Sequence, residues 1–268
     1  MASFLLVPVL LYLAFLAILF FAQTALIFPV GQVAPAAPLP AAAERLEVRA
    51  ASGERLSGIH IPPARPGPEP VLVLGFGGNA TDAATTAALL HDLYPQADVA
   101  AFHYRGYPPS EGRPGAAALA EDALVIHDFL RARLRPARIV VAGFSVGGGV
   151  AAALAARRPV DGLILVTPFD SLAAVAAGHY PWMPVRLLLR HRLEPAADLR
   201  AGRVPVAIVA GGADTLVPPA RTDALRRALP HLVFDRTLAG SGHNDIYADP
   251  AFPAAMREAL RAVTADPR

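Results

Sequence analysis

Hydrophobic and polar positions follow two regimes along this chain. From Ala2 to Phe28 no side chain is charged, and Phe4 to Phe28 is almost wholly apolar. As a helix, that run reaches about 37 Å at ~1.5 Å per residue, enough to cross a hydrocarbon core of ~30 Å. Buried core helices are usually shorter and keep polar positions on one face. A secretory leader has a shorter apolar core, of ~7–15 residues, behind a basic start; no Lys or Arg precedes this run. The pattern therefore predicts a retained membrane anchor over residues 1–28, with Pro8 near its start, where a kink does little harm. Arg45 and Arg49 are the first arginines after it. They lie at or beyond the ~15–20 residues over which flanking positive charge sets orientation, so neither side of a membrane is favoured. Residues 29–43, Pro29 to Ala43, are rich in Pro and Ala without periodicity. They read as an extended, fairly stiff tether holding the next domain away from the bilayer.

From Glu44 onward the pattern alternates. Leu46–Ala50 and Arg55–Ile61 read as paired strands. Val71–Gly75, Asp98–His103, Arg138–Gly143, Leu163–Thr167, Pro205–Ala210 and Leu232–Leu238 are short apolar runs of the kind found in strands buried on both faces. Helical patterns cover Asp82–Tyr94, Ala117–Leu134, Gly147–Arg158, Ala220–Leu229 and Ala251–Val263. Strand followed by helix, repeated, predicts crossover connections and an α/β domain over residues 44–268: a mostly parallel eight-stranded sheet with helices on both faces. Residues 168–203 break the rhythm and read as a short inserted cap with helical pieces.

Composition narrows the function classes. With 54% hydrophobic and 17% charged residues, the chain has core material that a disordered protein lacks. Its 24 basic residues are all arginine, balanced by 22 acidic ones and interspersed without a long basic run, so no nucleic-acid partner is expected. The absence of cysteine excludes disulfide scaffolds, thiolate metal sites and cysteine nucleophiles. No metal-ligand spacing is present, and Gly75–Gly78 completes neither a dinucleotide nor a P-loop motif. Neither a metal nor an organic cofactor is expected.

The chemistry concentrates in three places. The strand ending at Gly143 runs into Gly143-Phe144-Ser145-Val146-Gly147, a G-x-S-x-G pattern between an apolar strand and a helix. A tight turn there exposes the serine hydroxyl, and the flanking glycines keep neighbouring side chains clear. A serine hydroxyl needs a base, and the base needs an orienting carboxylate. Asp214 follows one later strand and His243 the last, in the order Ser, Asp, His and at strand C-terminal ends, where α/β sheets build sites. Ser145 is the candidate nucleophile, His243 the base and Asp214 the orienting acid, with Asp170 the alternative acid. The seven other histidines read as surface or core residues. An oxyanion hole would take the N–H of Val146 and one from the turn after Val71–Gly75, with Asn79 the first choice and Gly78 or Phe76 the alternatives.

With these motifs, the chain resembles the membrane-anchored α/β-hydrolases of the bud-emergence and α/β-hydrolase-domain type. The likeness is carried by Gly78-Asn79-Ala80, Tyr104-Arg105-Gly106-Tyr107 with Ser110-Glu111-Gly112, the elbow at residues 143–147, and Thr167-Pro168-Phe169-Asp170-Ser171. Tyr180-Pro181 with Pro184-Val185, Asp214 with Val217-Pro218, and Gly242-His243-Asn244-Asp245 complete it. Gly77 stands where relatives commonly have histidine, and Pro108 where glycine is usual. The resemblance implies the α/β-hydrolase fold and a serine hydrolase acting on ester or thioester bonds of a small-molecule or acylated substrate. In the cap, Trp182 and Leu187–Leu189, flanked by Arg186, Arg190 and Arg192, read either as a lid against lipid or an acyl chain, or as an ordinary cap helix packed on the domain. A peptidase on the same fold and a silent tethered binding protein are the rival functions.

Overall fold

The computed structural model describes residues 2–265 except 66 and 68. The long apolar run forms α1 (Ala2–Ile27). After it come β1 (Glu44–Arg49), β2 (Arg55–Ile61), β3 (Val71–Phe76), α2 (Ala83–Leu93), β4 (Asp98–Phe102), α3 (Ala116–Leu134), β5 (Arg138–Phe144) and α4 (Val146–Ala155). The second half comprises β6 (Gly162–Val166), the cap helices α5 (Leu172–His179), α6 (Val185–Leu188) and α7 (Pro195–Leu199), then β7 (Val206–Gly211), α8 (Pro219–Ala228), β8 (Leu232–Leu238) and α9 (Phe252–Ala265).

The eight strands form one sheet in the order β1-β2-β4-β3-β5-β6-β7-β8. The first hairpin pairs antiparallel and joins β4 antiparallel; every pairing from β4 to β8 is parallel. Period-two alternation divides each central strand between two cores. Leu72, Leu74, Ile139, Val141, Leu163 and Leu165 pack under α3, α4 and α8. Val73, Val140, Ala142, Ile164 and Val166 pack on the other face, under α2 and α9. Both faces being covered explains why these strands read as continuous apolar runs.

Strand order reverses at β3: the chain leaves it toward β4, returns to β5 on its other side, and then continues outward. The loops after β3 and β5 therefore flank a crevice at the carboxyl edge of the sheet, the place where such sheets bind ligands.

Two sequence expectations change. Helix α4 ends at Ala155, not Arg158, because Arg157 N–H turns back to Leu154 O and Pro159 disfavours helix at the residue before it. The proline-rich segment also does not stand the domain off. Phe28, at the end of α1, is 1% exposed within the α3/α4 core, and Ala37 N–H donates to Thr85 Oγ1 of α2 at 3.1 Å. Val30 and Val33 of the segment pack against the same core, and burying them favours a chain laid along the domain over an extended one.

Candidate active site

Ser145 links β5 to α4 at φ 52° and ψ −118°, outside the regions comfortable for a residue with a Cβ. Glycines permit the turn. A Cβ on Gly147 would fall on the carbonyl oxygens of Phe76 and Gly77, and one on Gly143 would stand 2.6 Å from Gly148 Cα. The elbow thus abuts the end of β3, and Ser145 is brought beside the turn at residues 77–80.

His243 Nε2 lies 2.9 Å from Ser145 Oγ, and its Nδ1 lies 2.7 Å from Asp214 Oδ2. The other carboxylate oxygen, Oδ1, accepts the N–H groups of Leu216 at 2.9 Å and Val217 at 2.7 Å, which locks the carboxylate in orientation. A carboxylate facing Nδ1 makes that nitrogen the donor, so the lone pair on Nε2 faces the serine hydroxyl. Asp214 and His243 are 5% and 9% exposed, which strengthens their mutual interaction.

The two loops are fitted to each other. Gly211 and Gly212, at the end of β7, have no room for side chains against the backbone at Ser241 and Ala239. Ser241 Oγ donates to Asp249, and Gly242 N–H to Asp245, shaping the turn that carries His243. Tyr247, packed against Phe144 and Phe252, has its phenol pushed up to about 12 by burial and the neighbouring Asp214 charge. It therefore stays protonated at neutral pH.

Val146 opens α4, so its amide belongs to the first helical turn, whose N–H groups lack intrahelical acceptors. Val146 and Asn79 line the same cavity as Ser145. Two tyrosines hold the turn that carries Asn79. Tyr104 donates its hydroxyl to Gly77 O at 2.7 Å, and Tyr107 donates to Asn79 O at 2.6 Å. Burial raises both phenols, and for Tyr104 the neighbouring Tyr107 adds to the rise, so both stay protonated donors. Between them Arg105 anchors the loop: its Nε donates to Asp122 Oδ2 of α3 at 2.9 Å, and its Nη1 to Ser52 of the β1–β2 turn at 2.7 Å. The signal was present as the Tyr-Arg-Gly-Tyr motif, but a motif does not say which carbonyls its hydroxyls reach.

Asp170, the alternative acid, is directed elsewhere: Arg221 Nη1 donates to its Oδ2 at 3.2 Å. Trp182 turns toward α1, its ring 5.8 Å from Phe15 and its carbonyl accepting from Tyr12. Among the described residues no group of three or more His, Asp or Glu side chains is arranged to hold a metal. A serine hydroxyl on an imidazole, itself oriented by a buried carboxylate and opening on a cavity of about 800 Å³, is an arrangement able to transfer an acyl group.

Residues 71–199 match the family model of the alpha/beta hydrolase fold. An uncharacterized protein of Mycobacterium tuberculosis H37Rv is 37% identical over 220 residues, covering 80% of this chain and 77% of that one. Similarity extends to the lysophosphatidylserine lipase ABHD12 of Danio rerio, 27% identical over 192 residues. That match covers 61% of this chain and only 50% of the lipase. Among solved structures, the Pyrococcus furiosus esterase Pf2001 superposes with a TM-score of 0.66 at 16% identity, over 85% of this chain and 95% of the esterase, a likeness of fold alone.

Proposed function

This chain belongs to the α/β-hydrolase family, and on that premise we propose that it is a membrane-anchored serine hydrolase cleaving carboxylic ester or thioester bonds. The observation that carries the reading is the chain of contacts from Asp214 through His243 to Ser145, 2.7 and 2.9 Å, ending on a serine in a strained strand-to-helix turn.

In this reading Ser145 Oγ attacks the acyl carbonyl while His243 Nε2 takes its proton. The carbonyl oxygen becomes an oxyanion, received by the N–H groups of Val146 and of the turn at Asn79. The tetrahedral intermediate collapses: the bond to the alcohol or thiol breaks, and His243 returns the proton to that leaving group. Water then repeats the attack on the acyl-serine, with His243 again as base, releasing the carboxylic acid and free Ser145. Asp214 holds the imidazole in the Nδ1–H tautomer and stabilises its positive charge. The lipase name carried by the zebrafish relative favours an acyl ester of lipid character.

We read residues 1–28 as a single-pass anchor, 29–43 as the connector and 44–268 as the catalytic domain with its cap at about 168–203. The anchor reading is supported by the uncharged stretch Leu6–Ile27, of which little is buried in the protein.

The deciding experiment is labelling by a fluorophosphonate, in which Ser145 Oγ displaces fluoride from phosphorus. The full-length protein is expected to label and Ser145→Ala not to. A folded wild type that fails to react would overturn the reading.

A further inference from the structure

Helix α1 does more than its length requires. Along one side, from Phe15 to Ile27, it forms part of the wall of the cavity of about 800 Å³ onto which Ser145 opens; Leu19, Phe20 and Leu26 contribute there, opposite Val175, Met183 and Leu189 of the cap. That stretch of helix measures about 18 Å at ~1.5 Å per residue, the reach of a long acyl chain rather than a short one. The other side of the same helix faces outward, with Ile18 63% and Phe21 75% exposed.

The helix is also registered against the cap by polar groups that an inert span would not carry. Gln23 is buried, yet both ends of its amide are used: Nε2 donates to Phe20 O and Leu188 O, and Oε1 accepts Arg190 N–H at 2.8 Å. Thr24 Oγ1 meets His191 Nε2 at 2.8 Å. A glutamine amide is costly in hydrocarbon without partners, and here two of its three partners, Leu188 O and Arg190 N–H, belong to the cap, so the position of α1 is specified rather than incidental.

Resting on the reading of Ser145 as nucleophile and α1 as membrane span, we propose that α1 is one wall of the acyl-binding site. The substrate is the long-chain acyl ester of a membrane lipid, whose chain enters from the bilayer between α1 and the cap. Three features argue for that occupant. The cavity is lined mostly by apolar side chains, its lining includes the serine, and one of its walls is the helix read above as the membrane span. Its volume falls within the ~300–1,000 Å³ typical of ligand sites.

The test compares Leu19→Trp, on the wall, with Ile18→Trp, one residue away on the outward face. Both keep the span apolar. Leu19→Trp is expected to lower kcat/KM for a palmitoyl ester about tenfold or more beyond any change for the acetyl ester, whereas Ile18→Trp shifts the ratio of the two less than about twofold. Equal changes for both esters, or the same shift from Ile18→Trp, would overturn the proposal. A long-chain alkyl fluorophosphonate with a terminal photoreactive group, used on the wild type, provides the second measurement. After reaction at Ser145 it should crosslink to the α1 peptide between Phe15 and Ile27. Crosslinks confined to the cap and core would refute the wall while leaving the nucleophile intact; no reaction at Ser145 would refute the nucleophile itself.

Discussion

At the scale of single residues, the site depends on orientation more than on the presence of groups. Asp214 accepts two backbone N–H groups on one oxygen and the imidazole on the other, so its carboxylate has one available direction. Asp214→Asn keeps size and shape but replaces an acceptor with an amide that can donate to Nδ1, favouring the tautomer in which Nε2 carries the proton. Ester turnover is expected to fall by about 10⁴ at neutral pH, with the fold retained; steady-state assays beside circular dichroism check both halves. Tyr107 acts one step further out, through the carbonyl of Asn79. Tyr107→Phe leaves that carbonyl without its donor and the turn freer to move, and is expected to lower kcat about tenfold with KM nearly unchanged, the pattern of an interaction felt in the transition state. A rise in KM alone would assign the tyrosine to substrate binding instead. The elbow, the carboxylate and the imidazole were legible in the sequence because each follows a strand in the expected order. The hydroxyl-to-carbonyl contacts of Tyr104 and Tyr107 were not, since they join residues about 27 positions apart across two loops.

Among elements, the junction of α1, the cap and α3 turns on one histidine. His191 Nδ1 faces Ala116 N–H, at 3.4 Å, and its Nε2 faces Thr24 Oγ1; the ring also packs edge-on against Phe28, 5.2 Å between centroids. Accepting from an amide requires an unprotonated Nδ1, and burial together with the Arg190 charge lowers the imidazole below its ordinary 6.5. A histidine whose folded value is lowered favours the fold in its neutral form. Its contribution is complete above about pH 6.5 and is lost as pH falls through the depressed value. Amide exchange across residues 20–28 and 185–193, corrected for intrinsic rates, should therefore speed up from about pH 7.5 to about pH 5, and His191→Asn should flatten that dependence. Unchanged exchange across the pair of pH values would refute this account. Strand and helix limits were read to within one to three residues, because Gly and Pro bound the apolar runs. The differences come from pairing partners: β1 begins at Glu44, two residues early, because Glu44 lies opposite His60 in the ladder.

For the whole molecule, the sequence by itself determined what repeats or is bounded locally. Period-two apolar runs alternating with helical ones required a parallel sheet covered on both faces, and an uncharged run long enough to cross a membrane required an unusual place for α1. The order of Ser145, Asp214 and His243 along the chain, each behind a strand, put the three candidate residues on one edge of that sheet. Tertiary structure alone decided what meets across distance. It set Asp214 rather than Asp170 against the imidazole, while Asp170 meets Arg221 of α8. It laid the proline-rich segment along the domain and seated Phe28 in a core whose other members lie at least eighteen residues further on. It also turned Gln23 and Leu19 of an apparently featureless helix toward the cap and the cavity. Local pattern reports how each segment buries its own surface; which surfaces then bury one another depends on the packing of the whole chain.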